Sequence, residues 1–357
     1  MNTEALRTVA ATYGTPTYIF DVREVEARIR LLRSLLPEDT GLCFAVKANP
    51  FLIPYVADLV DRLEVCSPGE YEICIQEQIA PEKIVVSGVN KTYESMKRIL
   101  SYSKGAGIYT IESEEHAKIL RTLAEKNQMP LSVLIRLSSG NQFGVDAETF
   151  LRLAKEIQES PYLTLAGVHY YAGTQKRQSK LEKELDTLTA FAKTFEEETG
   201  TVLNELEYGA GMKVSYFIND SEKDQRESEP EPQIQALAEK LRTCAYGKKT
   251  IELGRFLVSM SGYYLTRVMD VKRTAQPGFL ILDGGIHQIN YYGWMMGMKQ
   301  PEIEVLAEKD GDEELFHLCG SLCTVNDVLA RDVALHDPQK GDVICFKPVS
   351  YTHLTLP

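Results

Sequence analysis

The sequence predicts an α/β protein: a (β/α)8 barrel joined to a second, mostly β domain. Three observations carry the prediction. Between residues 42 and 254, eight short β-rich apolar runs alternate with longer amphipathic stretches, the pattern of a parallel sheet with crossover helices. After about residue 256 the long helical stretches stop and hairpin-like β runs take over. Polar, chemically capable residues recur where the first set of runs ends, the rim at which barrels and doubly wound sheets place their ligands. Counting alone leaves an open doubly wound sheet as the alternative to a closed barrel.

In chain order, "TPTYIFD" (15–21) leads into the first barrel helix. The strand candidates are "LCFAVKA" (42–48), "RLEVCS" (62–67), "KIVVSG" (83–88) and "GIYTIES" (107–113). They continue with "LSVLIRL" (131–137), "LTLAGVHYYA" (163–172), "ELEYG" (205–209) and "KTIELG" (249–254). The stretch 113–128 puts Ala117, Leu120 and Ala124 on one helical face behind an N-capping Ser113. The stretch 146–160 repeats this behind Asp146, and 181–200 ends on Gly200, a helix-stopping glycine. "NDSEKDQRESEPEPQ" (219–233) is polar, charged and proline-bearing, and reads as a solvated loop. "FLVSMSGYYLTRVMDVKRT", "GFLILDGGIHQINYYG" and "KGDVICFKP" read as hairpins of the second domain. The expected division is a barrel over 22–258 and a β domain made of 1–21 with 259–357.

The 357 residues carry 44% hydrophobic and 25% charged side chains, the balance of a soluble globular chain. With 51 acidic against 39 basic residues the net charge is −12, which argues against a non-specific nucleic-acid binder. No apolar run approaches the roughly 20 residues of a membrane-spanning helix. The N-terminus lacks the basic-then-apolar order of an export signal. Seven scattered cysteines then suggest reduced thiols and a cytoplasmic location. Cys319 and Cys323 are four apart, but nothing completes a zinc pattern, so no metal is expected.

The residues at the rim are Lys47, Ser67, Arg136, His169 to Thr174, Gly209 to Gly211, and Glu252 with Arg255. A lysine ending an apolar strand is an amine available for Schiff-base chemistry, and a dry pocket is expected to lower its pKa. In "YGAGMK" (208–213), Gly209, Ala210 and Gly211 let backbone N–H groups approach an anion. "GVHYYAGTQ" (167–175) ends a strand with tyrosines, a glycine and a hydroxyl, and "IELGR" (251–255) pairs a carboxylate with an arginine. "CGSLCTVNDVLARD" (319–332) presents a thiol in a glycine-bearing loop of the second domain.

Taken in order, these motifs resemble the fold-type III pyridoxal-phosphate decarboxylases, the diaminopimelate, ornithine and arginine decarboxylases with an alanine-racemase-like barrel. The resemblance runs from "TPTYIFD" to about Pro348. It implies pyridoxal 5′-phosphate held as a Schiff base on Lys47 of "FAVKAN" and cradled at the phosphate by Gly209, Ala210, Gly211 and Thr174. It implies Glu252 at the pyridine nitrogen, Arg255 and Arg136 as further cofactor ligands, and Tyr171 stacked on the ring with His169 in support. Glu64 matches a family acid near the cofactor. Cys323 corresponds to a thiol that acts across a homodimer in which the active sites are shared. The implied reaction is α-decarboxylation of an amino acid through a stabilised carbanion and its reprotonation.

The substrate side departs from the family pattern. Thr324 stands where an acidic residue follows the thiol in diaminopimelate and ornithine decarboxylases. After "LDGG" (282–285) the run "IHQINYYGW" lacks the arginine that would grip a distal carboxylate. Both departures suit relatives that act on other amino acids, including ones tethered to a carrier protein; Thr324 and Tyr292 are the candidate substrate contacts. A racemase using Tyr291 or Tyr292 as its second base is an alternative, as is a non-catalytic regulatory relative. After residue 348 the chain reads "VSYTHLTLP", leaving the family pattern of a glycine-alanine-tyrosine stretch, with Tyr351 a poor substitute for the missing tyrosine.

Overall fold

The computed structural model describes residues 1–274, 276–289 and 299–349. They fall into two compact units. One contains residues 26–213 and 227–257; the other contains 1–25, 214–226 and the described residues from 258 to 349.

The chain begins with α1 (Thr3–Tyr13) and β1 (Thr17–Phe20), then α2 (Val22–Leu35). The first unit runs through β2 (Thr40–Ala45), α3 (Ile53–Val56), β3 (Arg62–Val65), α4 (Pro68–Gln76), β4 (Ile84–Val86), α5 (Tyr93–Ser103) and β5 (Ile108–Ile111). It continues with α6 (Glu114–Asn127), β6 (Leu131–Arg136), α7 (Ala147–Gln158), β7 (Leu163–Tyr171), α8 (Gln178–Thr199) and β8 (Glu205–Gly209). After α9 (Glu222–Glu227) and α10 (Pro230–Thr243), β9 (Lys248–Leu253) closes the ring and α11 (Arg255–Val258) follows. Strands β2 to β9 form a closed barrel, every neighbouring pair parallel. Closure decides against the open sheet. Strands of such a barrel are covered on both faces, which is why they read as continuous apolar runs. Part of the filling is Cys43, Val85, Ile108 and Leu134, all buried.

The capping residues do what their sequence positions dictate. The Ser113 hydroxyl accepts the His116 N–H at 3.2 Å, and Asp146 Oδ1 accepts that of Thr149 at 2.8 Å. Gly200 ends α8 at φ 68°, where a side chain would be strained. Each satisfied N-terminal donor contributes about 1 kcal/mol. Ser67, counted from sequence among the rim residues, is also a cap: its hydroxyl accepts the Glu70 N–H at 3.2 Å at the start of α4.

The second unit is a sheet of seven strands among the described residues. It adds β10 (Gly262–Lys272), β11 (Gly278–Leu282), β12 (Glu302–Val305), β13 (Glu313–Cys319), β14 (Val328–His336) and β15 (Val343–Lys347). The order is β12-β15-β10-β11-β13-β14, with β1 antiparallel to β10 in the register Thr17↔Leu265. An apolar cluster of Leu6, Ala10, Leu265, Leu306 and Cys345 lies on this sheet.

Two expectations need correction. The "hairpin" reading holds for β10–β11 alone among the three quoted runs: β15 returns to the other edge of β10, and β11 pairs in parallel with β13. Residues 219–233 are not a plain solvated loop. Ser221 accepts the Asp224 N–H at 3.1 Å and starts α9, and Pro230 sits in the first turn of α10, where its missing N–H costs nothing. The prolines there start a helix.

Candidate active site

Lys47 lies on a short 3-10 turn, Val46–Ala48, directly after β2. The turn carries its side chain over the rim of the barrel, where it is 24% accessible. Its Nζ is 3.2 Å from Glu64 Oε2, 3.6 Å from Cys66 Sγ and 3.7 Å from Glu252 Oε1. It stands 5.5 Å from the centre of the Tyr171 ring. The strands explain the convergence: Ala45 is opposite Glu64, Tyr171 opposite Gly209, and Gly209 opposite Glu252.

This geometry reverses the expected pKa of Lys47. Burial alone would pull the ammonium down, but the carboxylates of Glu64 and Glu252 outweigh it and hold the group well above the ordinary lysine value. Without cofactor, Lys47 is a caged cation. Glu252 moves the other way. Burial opposes its charge, yet the Lys47 ammonium, a hydrogen bond from His169 and the more distant Arg136 pull it down to about 2. His169 Nε2 is 3.1 Å from Glu252 Oε2, and both side chains are almost wholly buried. The His169 Nδ1 is buried with no hydrogen-bond partner among the described residues.

The glycine turn follows β8. A Cβ on Gly209 would come within 2.4 Å of the Tyr171 ring. Gly211 has φ +58°, and a Cβ there would come within 2.1 Å of the Gly173 carbonyl oxygen. Both positions require glycine; Ala210 between them is fully buried.

The other predicted residues are distributed as follows. Arg136 is buried beside His169 in register, but its guanidinium is directed to Glu112 Oε2 at 2.9 Å and stacks over Phe143. Its Nη2 reaches the Tyr171 carbonyl at 3.5 Å, and its buried Nε has no hydrogen-bond partner among the described residues. Thr174 is exposed beyond the end of β7, and Arg255 is half-buried at the start of α11. Cys323 and Thr324 are exposed on the β13–β14 connection of the second unit. That connection is organised by the buried Asp327, which accepts the N–H groups of Leu322 at 2.7 Å and Ile286 at 2.8 Å. Tyr291, Tyr292 and Tyr351 lie outside the described residues.

Sequence reasoning missed several participants. Cys66 donates from Sγ to Glu64 Oε1 at 2.9 Å, and Ser87 donates to the same oxygen. Burial, with the charge of Glu64, pushes the Cys66 thiol well up, so it stays protonated. Lys91 is buried and donates to the Gly88 carbonyl at 2.5 Å and Thr110 at 3.1 Å. Burial, only partly offset by Glu112, lowers its pKa to about 8. The available signal was the period of two: Cys66 follows Glu64 by two residues and so shares its face.

Fold and rim define a barrel enzyme with a caged amine, an obligate anion and a glycine turn, the parts a phosphorylated aldehyde cofactor requires. The chain belongs to the pyridoxal-dependent decarboxylases: the model of their pyridoxal-binding domain matches residues 22–259. It is a pyridoxal-phosphate-dependent carboxy-lyase of fold type III. A diaminopimelate decarboxylase of Actinosynnema pretiosum is 30% identical over 98% of this chain and 82% of its own length. An L-glutamyl-[BtrI acyl-carrier protein] decarboxylase of Niallia circulans is 26% identical over 97% of this chain and 86% of its own. Among solved structures, diaminopimelate decarboxylase of M. jannaschii in complex with L-lysine superposes with a TM-score of 0.86 at 21% identity. That match covers 97% of this chain and 84% of the other. No helix among the described residues is long and apolar enough to cross a membrane.

The residues present fit the cofactor on structural grounds. The Lys47 ammonium faces an ionised buried carboxylate, and a two-glycine turn that no side chain could enter stands beside them.

Proposed function

We propose that this chain removes the α-carboxyl group of an amino acid or an amino-acid derivative, with Lys47 as the cofactor-bearing amine. The observation that carries the assignment is the Lys47–Glu252–His169 chain, whose links are 3.7 and 3.1 Å. Pyridoxal phosphate, when bound, supplies an aldehyde for amine exchange and a protonated ring that withdraws the electron pair left as carbon dioxide departs.

The chain's own residues do the rest. The Lys47 ammonium must lose a proton before Nζ can act as a nucleophile, and Glu64 Oε2 at 3.2 Å is the nearest acceptor. Glu252, a buried carboxylate held in its ionised form, is the anion that would keep a proton on a ring nitrogen, and His169 fixes its orientation. Gly209, Ala210 and Gly211 cradle the phosphate, with Thr174 and Arg255 as further ligands. Tyr171 offers its ring face for stacking beside Lys47. Arg136 supports the rim through Glu112. Cys323 is exposed, as a thiol serving the site of a second copy in a homodimer must be; there it returns the proton to the α-carbon.

On the substrate side, Thr324 in place of an acid, and the lack of an arginine in the run 286–294, leave the distal end of a diaminopimelate-type substrate unread. With the acyl-carrier relative spanning nearly the whole chain, these departures favour a second reading, an aminoacyl group tethered to a carrier protein.

The test begins with the absorbance of the purified protein after addition of pyridoxal phosphate. Borohydride reduction and peptide mapping follow. A phosphopyridoxyl label on Lys47, absent in Lys47→Ala, is expected. Carbon dioxide release is then compared between free amino acids and aminoacyl-pantetheine thioesters. A folded protein with no label at Lys47 would overturn the assignment.

A further inference from the structure

Lys176 follows the predicted motif by one residue and no part of the reading above uses it. It is buried, 2% exposed, and it grips the glycine turn at both ends. Its Nζ donates to the Gly209 carbonyl at 2.9 Å, and its backbone N–H donates to the Gly211 carbonyl at 2.9 Å. The Lys176 Cε lies 3.0 Å from where a Gly211 Cβ would stand. Nζ also donates to Glu184 Oε2 at 2.7 Å, and the same oxygen accepts the Tyr208 hydroxyl at 2.7 Å. Lys180 approaches the other oxygen of Glu184 at 4.0 Å. The ammonium sits over the Tyr208 ring at 5.0 Å and the Tyr171 ring at 5.7 Å.

A trans peptide directs its N–H opposite to its carbonyl. With the carbonyls of Gly209 and Gly211 drawn to Lys176, the N–H groups of Ala210 and Met212 are turned to the other side of the loop. Glu184 neutralises the ammonium at contact distance, so the pair acts by holding that orientation rather than by long-range attraction. A buried charge persists only when paired and hydrogen-bonded, and this one is.

We propose that Lys176, locked by Glu184 and Tyr208, is a positioning residue for the phosphate of the cofactor: it presents the N–H groups of the Gly209–Met212 turn. This rests on the reading of that turn as the phosphate cradle. The experiment titrates cofactor-stripped protein with pyridoxal phosphate and, separately, with pyridoxal, following absorbance. Wild-type protein binds the phosphorylated form much more tightly; if it does not, the cradle reading itself fails. Lys176→Met loses about tenfold or more in affinity for pyridoxal phosphate, about 1.4 kcal/mol, and stays within about twofold for pyridoxal. Tyr208→Phe, which removes one donor to Glu184 and keeps the ring, shows a smaller loss of the same kind and decides the matter if Lys176→Met does not fold. Equal losses for both ligands, or no loss for either, with the wild-type preference intact, would overturn the role of Lys176 alone.

Discussion

Glu252 shows what one buried side chain requires of its surroundings. Its carboxylate is 5% exposed, and burial alone would favour the neutral acid; Lys47 and His169 reverse that and hold it ionised. Glu252→Gln keeps the shape and removes the charge. We expect the Lys47 label to survive and kcat to fall by at least about a hundredfold, the size of effect seen when one preorganised electrostatic partner is lost; a single-turnover assay of carbon dioxide release measures it. The folded pKa of about 2 lies below the ordinary 4.5. The contribution of this group to stability is therefore complete above about pH 4.5 and is lost as pH falls towards 2. At this scale the sequence showed residue types and spacing, enough to single out Lys47, Glu252 and His169. It did not show that Arg136 pairs with Glu112, or that Ser87 holds Glu64, because those partners come from different strands.

At the scale of elements, α6 shows how a cap reaches beyond its own helix. Ser113 starts it, and His116, three residues on, turns back. Its Nδ1 accepts the Glu112 N–H at 3.3 Å, so Nε2 carries the proton and donates to the Val89 carbonyl at 3.1 Å. Burial, and next the charge of Lys91, lower its pKa to about 4. The unfolded chain thus binds a proton between about pH 6.5 and 4 that the folded chain refuses, and stability falls as pH drops through that window. His116→Gln can keep both hydrogen bonds without titrating. We expect the urea midpoint of the wild type to fall more between pH 7 and 5 than that of the variant; equal falls would remove His116 as the cause. The capping serine, the capping aspartate and the C-terminal glycine were legible because each is a local rule. The start of α10 was not, since prolines and acids in sequence look alike whether they open a helix or fill a loop.

At the scale of the whole molecule, the barrel strands were legible for a physical reason: strands covered on both faces are apolar throughout, and eight of them alternate with amphipathic stretches. The pairing of β1 with β10 and the parallel β11–β13 ladder were not, because they join segments far apart in the chain. Distance in sequence also hid a buried charge cluster in the barrel. Arg62 at the start of β3 pairs through Nη1 with Glu205 and, at 2.7 Å, with Glu207 Oε2, both on β8. These strands are separated in the ring by β2 and β9, so the three side chains meet inside it. Burial opposes the charge of Arg62, but the two glutamates outweigh it and raise its pKa further. Glu207 is fully buried, and burial raises its pKa despite Arg62. Removing the guanidinium strands the Glu207 carboxylate in a low-dielectric interior, while Glu205 keeps Lys248 at 3.3 Å. Arg62→Leu should therefore cost about 3–5 kcal/mol, the range for breaking a buried pair from one side. The cost should grow as pH rises from 5 to 8, because Glu207, whose pKa burial already raises, escapes by binding a proton at low pH. The triple change Arg62→Leu, Glu205→Gln, Glu207→Gln should recover much of the loss. Urea unfolding of the single and triple variants at both pH values measures each step. A single variant as stable as wild type at pH 8 would show that the ion cluster contributes nothing to barrel closure.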